Sequence, residues 1–312
     1  MAQALCHRLE AGVLAAEIVP EIGGSVAAFF SPDTPTRKRL DWFRAADAVA
    51  LDSRAPTGLA SFPLLPWCNR IRDGRFTWRG RVVQLAPNVP DSPHTIHGIG
   101  WQSAWTVEYS DAQRIFLALV EAGEGAWPYP FRAELTYRLD PAGLSIDIVL
   151  QNTGTQTMPA GLGNHPYFPH LRDGSGTRVT AFVDAIWQSD NEAMPTTLSS
   201  SRPEIAALQT GLRLSDHVLD NNFTGYRRTA RIDWPDGRAL RIIASAPLDF
   251  MVLYSPPKQD LFVLEAVSNC TDWINLLDAN AADATPATVG GSALDPGETI
   301  QATTRFEPEI GG

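Results

Sequence analysis

The sequence predicts an all-β protein, a large antiparallel β-sandwich. Three observations carry this: short runs of two-residue alternation, turn residues between them, and near absence of sustained helical periodicity. The clearest run is FRAELTYRL, where Phe131, Ala133, Leu135, Tyr137 and Leu139 share one face and Arg132, Glu134, Thr136 and Arg138 share the other. Successive side chains of a strand point to opposite sides, so this pattern describes a strand buried on one side only. GLSIDIVLQN repeats it with Leu144, Ile146, Ile148 and Leu150, and the intervening DPAG supplies a turn, which predicts an antiparallel hairpin. Similar runs cover Val13 to Ile18, Ser25 to Phe30, Arg114 to Val120, Arg231 to Trp234, Leu240 to Ala244 and Leu261 to Glu265. One short helix is expected over Arg202 to Gln209. MPTTLSSSRP, Met194 to Pro203, reads as loop, and the small-residue stretch Ala281 to Gly291 as a surface loop before a last strand ending near Phe306. No linker divides the chain, so residues 1–312 are expected to form a single domain.

Composition narrows the function classes. Hydrophobic residues at 44% and charged ones at 19% supply a large core, and no apolar stretch approaches membrane length. Glu10 and Glu17 interrupt the apolar runs near Met1, so no signal peptide is read and a cytoplasmic location is expected. Cys6, Cys68 and Cys270 are odd in number and far apart, which encodes neither a disulfide framework nor a paired-cysteine zinc site; free thiols are expected. A formal net charge of −10, with no basic block to override it, repels phosphate backbones and anionic lipid. Nucleic acid and membrane partners are therefore not expected.

Polar residues that carry chemistry fall in five places, all read as loop contexts. In PWCNRIRDGRF, Asn69 and Arg70 follow an apolar approach and Asp73-Gly74 marks a turn. Arg70 offers a planar fork of donors suited to paired hydroxyls or a carboxylate, although taken alone it is a surface arginine supporting the turn. In PHTIHGIGWQSAW, His94 and His97 stand three apart, but Pro93 and Gly98 bar a regular helix and no Cys/His cluster completes a metal set. Metal is the lesser reading; Gly98 and Gly100 instead let the backbone approach a ligand, with His97 at the mouth of a strand and the role of His94 left open.

In GLGNHPYFPH, His165 has two ring nitrogens that need partners and Pro166 cannot donate to a ladder, an order for which a packed strand has no use. Tyr167 and Phe168 add apolar faces of the kind that pack on the C–H face of a sugar. In LDNNFTGY, Asp220 precedes Asn221, Asn222 and Phe223, a composition that loops also use for turns. In DLFVLEAVSNCTDWIN, Glu265 ends the run Leu261 to Leu264, where a strand should stop and a cleft open. A carboxylate emerging from apolar surroundings has a raised pKa, as a general base needs; the alternative is an acid solvated at a strand end. The set holds no phosphate loop and no serine elbow. Acid/base chemistry on a neutral, hydroxyl-rich molecule fits it best.

In this order the five places resemble the aldose 1-epimerase family, the galactose mutarotases, over nearly the whole chain. The likeness runs from PEIGGSVAAF through NRIRDGRF, HGIGW, GNHPYF, MPT and DNNF to the late glutamate and an LDPGE turn. It implies a galactose mutarotase-like supersandwich with a cleft on one sheet, and a monosaccharide substrate whose α and β anomers interconvert by ring opening and closure. By the same resemblance His165 is the acid on the ring oxygen and Glu265 the base, while Arg70, His97 and Asp220 bind sugar hydroxyls with Asn69 and Tyr167 beside them. The chemistry calls for no metal or redox cofactor. Ala266 follows the glutamate where many relatives carry proline, and Gly98-Ile99-Gly100 stands where two adjacent glycines are common. Two alternatives stay open: a sugar-phosphate (hexose 6-phosphate) 1-epimerase using Arg72 and Arg75, and a non-catalytic carbohydrate-binding protein on the same fold.

Overall fold

A computed structural model describes residues 5–35, 38–90, 92–279 and 283–310. The strongest alternation becomes the hairpin it predicts: strands Phe131–Asp140 and Gly143–Asn152 pair antiparallel from Phe131 opposite Asn152 to Asp140 opposite Gly143. This hairpin lies within a nine-stranded sheet, which faces an eleven-stranded one. The two sheets share one apolar core. Phe43, beside the larger sheet, meets Phe168 of that sheet at 5.4 Å between ring centroids and Phe306 of the smaller sheet at 4.8 Å, both edge-on. Tyr137 crosses the same interface to donate its hydroxyl to Gly24 O. Each fully buried phenylalanine of this kind contributes roughly 2–3 kcal/mol by removal from water.

The middle of the larger sheet differs from the hairpin. Its strands Ser61–Leu64, Gly163–Pro169, Leu261–Val267, Phe250–Ser255 and Leu219–Thr224 are consecutive neighbours, and most of their residues are buried on both faces. Strands covered on both sides carry apolar residues without alternation, which is why their sequences read differently. Three stretches expected as loops are thus strands: those of His165, of Asp220, and the continuation past Glu265, which sits mid-strand because the strand runs on to Val267. Pro166 is accommodated because pairing with the glutamate strand is made at Gly163 and from Tyr167 to Pro169, leaving out the interval that holds the proline.

The helix expected at Arg202 spans Pro203–Thr210, with proline in its first turn and left-handed Gly211 after its end. Within the expected loop Met194 to Pro203, Pro195–Ser199 is a strand paired with Ala185–Ser189. Of the expected tail loop, Ala281 and Ala282 lie outside the described residues, while Pro286–Val289 is a short helix that buries Val289. The last strand, Thr299–Ile310, extends beyond Phe306. Cys6, Cys68 and Cys270 are free thiols, the last two buried. Among the described residues no helix is long and apolar enough to cross a membrane.

Candidate active site

Strand register builds the site. Phe62 lies opposite His165, Glu265 opposite Val252, and Val252 opposite Asn222. Pairing of Gly163 with Val267 and of Tyr167 with Val263 sets His165 level with Glu265. One row of side chains therefore crosses five strands with the histidine and the carboxyl at adjacent places. Two residues along, a second row on the same face carries Tyr167, Val263, Tyr254 and Asp220. Over these rows lies a cavity of about 240 Å³, lined by His165, Glu265, Tyr167 and Asp220 together with Asn69, Arg70 and His97 from the neighbouring loops.

Those loop residues hold one another. Strand Arg70–Ile71 pairs with Thr95–Ile96, and just outside it Asn69 and His97 both adopt left-handed backbone, φ 59° and 63°. Such conformations cost about 1–2 kcal/mol for most side chains, and two reciprocal bonds offset the cost here. His97 N donates to Asn69 O at 3.0 Å, and Asn69 N donates to His97 Nδ1 at 3.2 Å. With Nδ1 accepting, the ring proton sits on Nε2, and burial pushes the imidazole well below its ordinary pKa. His97 is thus a neutral donor. Asn69 Oδ1 accepts from Arg70 N at 2.8 Å and from Nη1 at 3.2 Å, aiming the guanidinium so that Nη2 lies 3.6 Å from Asp220 Oδ2. Burial raises the Asp220 carboxyl, and the Arg70 charge opposes that rise.

His165 Nε2 lies 3.3 Å from Glu265 Oε1. Burial drives Glu265 well above the ordinary carboxyl range, Asp220 adding to the rise and Arg70 opposing it. Burial likewise drives His165 down to about 3, with Arg44 and Arg70 contributing. Desolvation thus disfavours the charged form of each partner, favouring a pair in which a neutral imidazole stands beside a protonated carboxyl. Its proton count equals that of imidazolium beside carboxylate, so one proton shift along the 3.3 Å contact converts the two forms. Glu265 Oε2 is buried without a hydrogen-bond partner.

All seven residues expected at the site line this cavity. Other expectations are corrected. Phe168 points away from it into the core, since it alternates with Tyr167 along one strand. Gly98 and Gly100 do not admit a ligand: a Cβ on Gly98 would meet Leu65 O at 1.8 Å and one on Gly100 the Leu65 side chain at 2.9 Å, so the close approach is to the chain itself. His94 turns away from His97, accepting from Asp73 N at 3.0 Å with Glu192 3.7 Å from its Nε2. Sequence reasoning missed Phe62, Trp101, Val252 and Tyr254 of the lining. It also missed Arg44, whose guanidinium lies 4.6 Å over the Tyr167 ring and donates to the carbonyls of Thr57, Gly58 and Leu59. Phe62 and Val252 sit in apolar runs that read as core, and nothing local marks them as lining.

A curated relative, the uncharacterized protein YphB of Escherichia coli (strain K12), is 29% identical over 264 residues, 81% of this chain and 85% of that one. The crystal structure of a putative aldose 1-epimerase from Escherichia coli K12 superposes with TM-score 0.84 at 25% identity, covering 98% of this chain and 99% of the other. A galactose 1-epimerase from Lactobacillus acidophilus NCFM, at 17% identity, shares the fold with TM-score 0.75 over 98% of this chain and 94% of its own. The family profile described as aldose 1-epimerase spans residues 7–307, taking in both sheets and every residue of the cavity, and on that match the chain belongs to the aldose 1-epimerase family.

Proposed function

We propose that the protein interconverts the α and β anomers of a free, unphosphorylated aldose, with Glu265 and His165 as the acid/base pair. The observation that carries this is the 3.3 Å contact between His165 Nε2 and Glu265 Oε1 in a cavity that is also lined by the polar side chains of Asn69, Arg70, His97 and Asp220 and by aromatic faces. In the charge-separated form, Glu265 takes the proton of the anomeric hydroxyl while His165 Nε2 gives its proton to the ring oxygen. The bond from C1 to the ring oxygen breaks and the C1–oxygen double bond of the open aldehyde forms. After rotation about C1–C2, closure on the other face runs the transfers backwards, each group taking the opposite role. The pair ends with the proton count it began with, so no external base enters.

Positioning falls to the surrounding groups. Arg70 and Asp220, at 3.6 Å, present donor and acceptor to adjacent hydroxyls by charge-assisted bonds, and the neutral Nε2–H of His97 adds a donor. Tyr167, held from behind by Arg44, gives a flat face for the ring. A neutral substrate is favoured because Arg72 has Asp190 at 3.6 Å, Asp272 at 3.8 Å and Glu192 at 3.9 Å around it. Together with Arg75 it lines a separate depression, not the cavity. Polarimetry or NMR on freshly dissolved α-anomers of several aldoses, phosphorylated and free, tests the reading. Accelerated equilibration of a free aldose is expected; binding of sugars without any acceleration would leave a carbohydrate-binding protein instead.

A further inference from the structure

The His165 imidazole has few polar anchors. Its Nε2 faces Glu265, while its buried Nδ1 meets no partner beyond its own backbone. A working histidine is ordinarily oriented by a bond at the second nitrogen, which sets the angle of the ring. Here rings do the holding. Phe62 lies flat on the imidazole with centroids 4.5 Å apart and planes 16° from parallel. His97 meets it edge-on at 5.0 Å, and Tyr167 at 4.7 Å with a 52° tilt. Behind Phe62, Trp101 continues the stack at 5.2 Å and is itself pinned by donation from its indole N–H to Gly98 O at 3.1 Å. The placement of Phe62 follows from register, because it stands directly opposite His165 on the neighbouring strand.

We propose that Phe62 is a positioning residue for the reaction: lying flat on His165, it sets the ring's angle toward Glu265 and the sugar's ring oxygen and keeps water from the pair. The proposal rests on the acid/base reading above. Rotation about the last torsion of a histidine is soft, so without the stack the ring sweeps through angles that do not deliver the proton. That costs turnover rather than binding. Water admitted in place of Phe62 has a second effect, because burial is the main cause of both shifts in the pair. The active pair holds one proton in all. The acid limb of the pH–rate profile marks arrival of a second proton and the alkaline limb loss of the first. Hydration raises the low value of His165 and lowers the high value of Glu265, so both limbs move inward. The other charged or titratable groups coupled to the pair are His97, Arg70, Tyr167, Arg44, Asp220 and Cys68, and all remain in a Phe62 variant.

Two variants separate these effects. Phe62→Leu fills most of the space but removes the flat face; Phe62→Ala opens the site to water. In Phe62→Leu, kcat is expected to fall about tenfold with KM within about twofold and both pH limbs in place. In Phe62→Ala, kcat falls further and each limb moves inward by about one pH unit. NMR titration of labelled histidine, with the His165 signal assigned from His165→Asn, should show the same upward shift without any assay. A folded Phe62→Leu protein with wild-type kcat overturns the proposal, as does a folded Phe62→Ala protein with an unmoved His165 titration. If Phe62→Ala fails to fold, the split between kcat and KM in Phe62→Leu decides. If the wild-type protein turns over no sugar, the acid/base reading fails, and the NMR titration still decides whether Phe62 shields His165.

Discussion

Glu265→Gln keeps the outline of the side chain and abolishes its titration, while His165→Asn removes the ring nitrogen that faces it. Each substitution is expected to lower kcat by about a hundredfold or more with the fold intact, the usual scale of a lost general acid or base. Near-normal turnover in a folded variant of either would remove that residue from the mechanism. The same burial makes a statement about stability. The folded carboxyl of Glu265 is raised above its ordinary value of 4.5, so the native state holds a proton that the unfolded chain releases. The stability this confers is present at pH below about 4.5 and is lost as pH rises toward the folded pKa. Glutamine has no such loss. The Tm of Glu265→Gln relative to wild type should therefore rise between pH 5 and pH 8, by an amount worth at least about 1 kcal/mol, in scanning calorimetry. A constant difference across that range would show that the buried carboxyl does not titrate as described.

Alternation along one strand gives adjacent residues opposite tasks. Tyr167 faces the cavity and carries Arg44 behind its ring, whereas Phe168 is fully buried among Phe43, Phe262 and Phe306. Phe168→Ala is expected to cost about 3–5 kcal/mol of stability from the hole left between the sheets, with KM nearly unchanged in whatever protein remains folded. Tyr167→Ala should do the reverse, raising KM at a much smaller loss of Tm. Paired denaturant titrations and steady-state kinetics check this; equal stability losses would mean the two side chains do not divide between cavity and core. The element scale is also where sequence reading worked least evenly. The hairpin of Phe131–Asp140 and Gly143–Asn152 was legible because one face meets the core and the other meets water. Strands Gly163–Pro169 and Leu219–Thr224 were read as loops because polar site residues and a proline replace the alternating pattern wherever both faces are covered.

Over the whole molecule, the net charge of −10 acts against any anionic substrate at long range, and local geometry reinforces it. Arg70, the arginine that lines the cavity, is paired with Asp220, while Arg72 is ringed by carboxylates outside it. For the free aldose turned over fastest, kcat/KM should exceed that for its 6-phosphate, and Arg72→Ala should leave the ratio within about twofold, since Arg72 lies outside the cavity with carboxylates around it. A preference for the phosphate that weakens with added salt and vanishes in Arg72→Ala would assign the chain to phosphorylated sugars instead.

Local chemistry determined much of this protein in advance. Alternation specified strands, turn residues specified the hairpin, and five local motifs, in an order that resembles one family, singled out Asn69, Arg70, His97, His165, Asp220 and Glu265, which line the cavity. Those properties belong to single side chains or to neighbours in the chain. Register does not. Whether His165 stands beside Glu265, whether Phe62 lies on His165, and whether Phe168 points inward are settled by which strands pair and at what offset, over separations of about a hundred residues. Burial is likewise a property of the assembled sheets, and it is burial that disfavours the charged forms of both His165 and Glu265, which neither residue's place in the sequence could set.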